Sequence, residues 1–124
     1  MTDLLHQQVY DTVARHLIVQ KIAAAYDSVC WYRTAQGHKC AIGCLIPDDM
    51  YDPRMEGEGI RHLMQDFPGV LPPVDSALLE DLQTAHDVDL AYRFSSWVRR
   101  MQSIATKWEL DSAIIQPYLE NPND

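Results

Sequence analysis

Apolar residues near the N-terminus recur at the spacing of one face of an α-helix. The members of this stripe are Leu5, Val9, Val13, Leu17, Ile18, Ile22 and Ala25. A four-residue step keeps side chains on one side of a helix, and the run of three alanines at residues 23–25 adds helix propensity. The pattern predicts a long helix from Asp3 to about Asp27.

The pattern then changes over VCWYRTAQGHKCAI, which runs from Val29 to Ile42. β-branched and aromatic residues flank the loop sequence TAQG, which is typical of a β-hairpin. Gly37 would supply the left-handed backbone that such a loop often needs. Gly43 would end the second strand or form a bulge. Because an isolated hairpin is only marginally stable, we expect it to lie on the helices.

The next segment, IPDDMYDPRMEGEG, is predicted to be a loop covering residues 46–59. Pro47 and Pro53 exclude a continuous helix, and two glycines end the segment. Loops of about this length are uncommon in compact domains and are often functional.

The remaining pattern predicts three helices and a shorter fourth one. They are Ile60–Phe67, a helix capped by Asp75 or Ser76 that runs to His86, Asp89–Lys107, and a short helix from about Asp111 that Pro117 kinks or ends. The expected fold is therefore a single α+β domain with four to five helices and one β-hairpin.

The helix predicted at residues 89–107 has the strongest pattern. Its apolar positions alternate steps of four and three, and they are Leu90, Phe94, Trp97, Met101, Ile104 and Trp108. This spacing predicts a buried seam. The basic residues Arg93, Arg99, Arg100 and Lys107 lie on the other side.

Charge is unevenly distributed along the 124 residues, whose net charge is −8. Between Cys44 and Tyr92 there are eleven acidic and two basic residues, whereas the remainder is nearly balanced. Such a field repels nucleic-acid phosphate and anionic membranes and attracts basic protein surfaces. The alternative is that the acids only keep the surface solvated.

The N-terminal sequence lacks the basic and apolar regions of a signal peptide, and apolar runs are far shorter than the ~20 residues of a membrane span. Three cysteines, an odd number, fit a reducing compartment better than a disulfide framework. We therefore expect a cytoplasmic protein.

Cys30, His38, Cys40 and Cys44 have the residue types of a zinc site. On one continuous strand, however, Cys40 and Cys44 would be about 13 Å apart, too far to share one ion. A turn at Gly43 would bring them together. The alternative, which the spacing favours, is that the cysteines are small apolar core residues and that no cofactor is bound.

Cys40 or Cys44 together with His86 and Asp87 would have the residue types of a cysteine hydrolase. No family signature flanks either cysteine, and Asp87 or Asp89 is equally explained as a helix N-cap. The acids of residues 48–58 do not follow the register of a calcium loop, and no pair of them is singled out for glycoside hydrolysis.

The predicted loop combines acids with Tyr and Met side chains, a combination suited to protein recognition. The candidate partner-binding residues are Asp48, Asp49, Tyr51, Asp52, Met55, Glu56 and Glu58. The alternative is that Tyr51 and Met55 pack back on the core.

The segment GHKCAIGCLIPDDMYDPRMEG, with CWYR before it and AHD after it, resembles a block found in small uncharacterised phage and bacterial proteins. In those proteins a CAIG-LIPD-YDP-MEG block follows a hairpin and precedes short helices. The resemblance covers about a third of the chain. It implies a shared fold element and a phage accessory role, and it assigns no activity and no catalytic residue.

These observations together predict a small acidic binding protein without catalysis, which docks on a basic surface as phage inhibitors, anti-defence proteins and immunity proteins do. Its partner would be a protein, for which nucleic-acid-binding proteins are candidates. Two alternatives remain open. One is a metal- or thiol-dependent site built from the hairpin cysteines, and the other is a homodimer that uses the aromatic seam.

Overall fold

The computed structural model of the protein describes residues 4–21, 25–26, 29–90 and 92–119. Most of the regular structure in these residues is helical. The elements are α1 (Leu4–Gln20), β1 (Ala25–Tyr26), β2 (Val29–Cys30), 3-10 turns at Gly43–Leu45 and Pro53–Met55, α2 (Ile60–Asp66), α3 (Ser76–Thr84), a π-helix (Ala85–Leu90), α4 (Phe94–Trp108), a third 3-10 turn (Ala113–Ile115) and α5 (Gln116–Leu119).

The predicted β-hairpin of residues 29–42 is not formed, so the predicted α+β class was wrong and the fold is all-α. The two-residue strands β1 and β2 pair with each other. Across the described ranges, the other bridge outside these strands is an isolated one between Arg33 and Lys39. Gly37 does adopt the predicted left-handed backbone, with a φ of 91°.

The second predicted strand fails because its residues are buried consecutively. Cys40, Ala41 and Ile42 have no exposed surface, whereas a strand on the surface of a helical core turns successive side chains to opposite sides. The backbone instead forms tight turns, including the 3-10 turn at Gly43–Leu45. The amide of Cys44 donates to the carbonyl of Cys40 at 3.1 Å, and that of Leu45 donates to the carbonyl of Ile42 at 2.9 Å.

Helix α1 ends at Gln20, before the predicted end at Asp27. Lys21 terminates it in the left-handed conformation, with a φ of 59°, and its amide still donates to the carbonyl of Leu17 at 2.7 Å. The predicted helical residues 22–24 and 27 lie outside the described ranges.

Helix α4 begins at Phe94 rather than at the predicted Asp89, because residues 85–90 continue α3 as a π-helix. Its seam faces the interior, where Trp97 and Met101 have no exposed surface. The hydroxyl of Tyr10 on α1 donates to the carbonyl of Met101 at 2.9 Å, which ties the two helices together. Most of the seam is therefore part of the chain's own core, while Phe94 and Trp108 are half-buried.

The predictions for α2 and α3 are confirmed to within a few residues. The side chain of Asp75 caps α3 by accepting from the amide of Ala77 at 2.9 Å. Pro117 does not end the last helix, since it is the second residue of α5, where its missing amide hydrogen is not needed. Helix α3 and its π-helical continuation support one wall of the site described next.

Candidate functional site

Three of the predicted partner-binding residues are used inside the fold. Met55 has no exposed surface. The carboxylate of Glu56 accepts from the amides of Tyr32 at 2.9 Å and Arg33 at 3.1 Å. Tyr51 is half-buried, and its hydroxyl donates to the same carboxylate at 2.5 Å. Met55 and Glu56 therefore join the loop to the rest of the fold.

Two other predicted residues, the exposed Asp48 and the half-buried Asp52, are paired with basic side chains. Asp48 lies 3.4 Å from Lys39 Nζ and 2.9 Å from Arg33 Nη1. These cations, Lys39 first, lower the pKa of Asp48. Asp52 accepts from the amide of Arg54 at 2.9 Å and pairs with its guanidinium at 2.6 Å. The outer half of the loop is therefore partly neutralised.

Asp49 and Glu58 complete the predicted set. Asp49 is exposed in the turn that follows Pro47. Glu58 lies on the wall of an open cleft of about 440 Å³. The described residues that line this acidic cleft are Trp31, Tyr32, Glu56, Gly57, Glu58, Gly59, Ile60, Glu80, Gln83, Thr84 and Asp87.

The lining of the acidic cleft has one sign of charge. Four carboxylates, those of Glu56, Glu58, Glu80 and Asp87, come from the loop, α3 and the π-helix, and no Lys, Arg or His is among the described lining residues. Arg61 approaches Glu80 at 3.3 Å, but both side chains extend into solvent. The cleft therefore favours a cationic group.

Tyr32 holds one side of the acidic cleft. Its hydroxyl donates to the carbonyl of Glu58 at 2.5 Å, and its amide donates to Glu56 as described above. Gly43 packs directly against its backbone, where an added Cβ would lie 1.9 Å from the Tyr32 carbonyl oxygen. These contacts place the neighbouring residues Trp31 and Tyr32 beside Glu56 and Glu58.

A part-buried polar network holds Asp87, which lines the cleft from the π-helix. Its Oδ1 lies 2.8 Å from Nδ1 of the fully buried His86 and accepts from Gln83 Nε2 at 2.6 Å. Gln83 also accepts from the amide of Ile42 at 3.1 Å. The network sits at the start of the π-helix, an irregularity that frequently occurs at functional sites.

Glu58 has a buried carboxylate oxygen, Oε2, with no hydrogen-bond partner among the described residues. Burial and the neighbouring carboxyl of Asp66 raise the pKa of Glu58, and nearby His62 opposes this rise. A cationic donor from outside would satisfy the same oxygen.

Of the two cysteines with described side chains, Cys40 is buried and Cys44 is half-buried. Cys40 Sγ accepts from the amide of Gly43 at 3.2 Å, and Cys44 Sγ donates to the carbonyl of Ala41 at 3.1 Å. Burial raises the pKa of each thiol to about 12, so neither is a thiolate at neutral pH. A cysteine nucleophile activated by His86 and Asp87 is not supported by this environment.

Among the described residues, no three His, Cys, Asp or Glu side chains are placed to hold one ion, so His38, Cys40 and Cys44 do not form a metal site together. His38 closes the turn at residues 34–38 with its backbone, which accepts from the amide of Thr34 at 2.9 Å. The side chain of Cys30 lies outside the described residues.

Sequence reasoning missed Glu80, Gln83 and Trp31 as site residues, and it treated Asp87 mainly as a helix cap. Glu80 and Gln83 are three residues apart on α3, and Asp87 follows four residues later. That polar stripe opposite the buried leucines was the available signal. Its meeting with the loop at residues 56–60 depends on tertiary packing.

Comparison with known proteins assigns no family. No family description, curated protein or solved structure matches the chain. In the residues that the structure describes, no helix is long and apolar enough to cross a membrane. The proposals below therefore rest on the residues and their geometry.

Proposed function

We propose that this chain is a small acidic binding protein that docks on a basic surface of a partner protein. The observation that carries the proposal is the acidic cleft, with its four carboxylates and no basic residue in its described lining. Exposed acids continue outside it at Asp48, Asp49 and Asp66. A surface with one dominant sign of charge accelerates encounter with a partner of the opposite sign.

The contact residues proposed here differ from the predicted loop set. Asp48 and Asp49 are exposed at the surface, and Glu58, Glu80 and Asp87 line the cleft. Met55 and Glu56 support the loop from inside. An inhibitor or anti-defence role in a phage or bacterial setting is the form of this function that the sequence resemblance favours.

Affinity capture with a charge-matched pair of variants tests the proposal. Wild-type protein, Asp48→Asn/Asp49→Asn and the control Asp11→Asn/Glu109→Gln are immobilised in equal amounts, and captured proteins are quantified by mass spectrometry. Each double variant removes two negative charges. The control removes them outside the acid-rich residues 44–92, which are called the acidic segment.

We expect wild type and the control to retain the same basic protein, released by increasing salt because exposed charges are screened. We expect Asp48→Asn/Asp49→Asn to retain less of it. Equal retention by all three proteins, or capture without any preference for basic proteins, would contradict the proposal.

A further inference from the structure

The acidic cleft has the composition of a pocket for one extended organic cation. Its volume, about 440 Å³, lies in the range of roughly 300–1,000 Å³ typical of ligand pockets. Trp31, 36% exposed, and Tyr32 form an aromatic part of the lining, and four carboxylates are also in the lining. Aromatic faces and carboxylates are both attractive to cations.

The arrangement disfavours a compact metal ion. The four cleft carboxylates come from the loop, α3 and the π-helix, and no three acidic, His or Cys side chains among the described residues are placed to hold an ion. A divalent cation needs several oxygen ligands at about 2.0–2.6 Å. A group that reaches several separated acceptors fits better.

An arginine side chain has that reach. Its planar guanidinium carries five donors, pairs with carboxylates in a forked geometry and stacks on aromatic rings. Glu58 Oε2 is buried and lacks a hydrogen-bond partner among the described residues, so it is an acceptor that a guanidinium would satisfy. Lysine, with one compact ammonium group, would use fewer of these acceptors at once.

We propose that the acidic cleft binds a single arginine side chain of the partner protein, held by the aromatic rings of Trp31 and Tyr32 and the carboxylates of Glu58, Glu80 and Asp87. This inference rests on the proposed function, because it names the group on the partner that the chain recognises. Asp87 is held in place by His86 and Gln83, and Glu80 is the most easily substituted member, since its only described partner is Arg61 at the surface.

N-acetyl-arginine amide is the ligand for the test, with N-acetyl-lysine amide and the neutral, nearly isosteric N-acetyl-citrulline amide as comparisons. Binding is followed through the indole N–H of Trp31 and the amides of Gly57 and Gly59 in two-dimensional proton–nitrogen NMR spectra. We expect saturable, millimolar binding of the arginine compound, weaker binding of the lysine compound and none of the citrulline compound.

Glu80→Gln removes one cleft charge with little change in shape, and we expect it to weaken arginine binding by about tenfold, as loss of a charge-assisted hydrogen bond would. The control Asp48→Asn/Asp49→Asn lies outside the cleft and should bind the arginine compound like wild type. Circular dichroism and the thermal midpoint establish that both variants are folded.

Absence of saturable shifts at the cleft, or equal shifts with the citrulline compound, would overturn the inference. If the cleft does not bind arginine but a basic protein is still captured through Asp48 and Asp49, this inference fails and the proposed function stands. If the cleft binds the arginine compound but the captured proteins show no preference for basic surfaces, the cleft is an arginine site and the proposed function fails.

Discussion

Single residues show how acidic side chains in one segment divide between structural and recognition roles. Glu56 accepts three hydrogen bonds from the protein, two of them from backbone amides. Asp49 is exposed, and Glu58 lines the cleft with an oxygen that lacks a partner among the described residues. The sequence alone presents these acids as equivalent members of one loop.

Glu56→Gln should destabilise the fold, because an amide group replaces a carboxylate that accepts from Tyr32, Arg33 and Tyr51. We expect a loss of about 1–3 kcal/mol in the free energy of unfolding, measured in urea. Asp49→Asn, the control in the same segment, should have little effect. If the two variants are equally stable, the structural role of Glu56 is incorrect.

Gly43→Ala tests the close approach of two chain segments. An added Cβ would lie 1.9 Å from the carbonyl oxygen of Tyr32, so the backbone must move. We expect a loss of about 1–3 kcal/mol, as overpacking commonly produces. Gly59→Ala is the control, since a Cβ there meets open space. A Gly43→Ala protein as stable as the control would be inconsistent with the packing described.

The thiols provide a third test at this scale. Because burial raises the pKa of Cys40 and Cys44 to about 12, neither should react with a disulfide reagent in the native protein between pH 7 and about 9, where the thiolate is scarce. A Cys30→Ser background removes the thiol whose side chain is not described. Both remaining thiols should react after unfolding in urea, and rapid labelling of the native protein would count against their burial.

At the scale of elements, the site depends on irregular structure more than on regular helices. The π-helix at Ala85–Leu90 carries Asp87, and the segment at residues 56–60 carries the opposing acids. Apolar spacing located α2 and α3 well, because the side chains that pack on the core are the same ones that recur at the helical spacing in the sequence. It did not reveal the π-helix or the tight turns at residues 40–46, where burial of consecutive residues decides the conformation.

Glu58 interacts with Asp66 on α2, and the free energy of unfolding therefore depends on pH. The pKa of Glu58 is raised in the folded state by burial and Asp66, with His62 opposing. The folded protein therefore binds this proton more tightly than the unfolded chain. Stability from this group is present at low pH and is lost as pH rises through the raised pKa.

Glu58→Gln should remove that dependence. At neutral pH the free energy of unfolding should be higher for the variant than for wild type. This difference should vanish as the pH falls below 4.5, the ordinary pKa of glutamate. Urea unfolding of both proteins from pH 3.5 to 8 checks this. A variant that is less stable than wild type at neutral pH would contradict the expected sign.

At the scale of the whole molecule, charge and core are separated along the chain. Helices α1 and α4 supply much of the buried core, whereas eleven acids lie between Cys44 and Tyr92 and four of them line one cleft. The charge imbalance was evident from the sequence. The location of the cleft was not, because Trp31, Glu58 and Glu80 are brought together only by the fold.

The central claim is that the acidic segment docks on a basic protein, and the salt dependence of that binding tests it most directly. The dissociation constant of the captured partner is measured at increasing salt for wild type and for Asp48→Asn/Asp49→Asn. We predict weaker binding as salt rises, and a smaller salt dependence for the variant because it has fewer charges to screen. Binding that is insensitive to salt and identical in the two proteins would contradict the account.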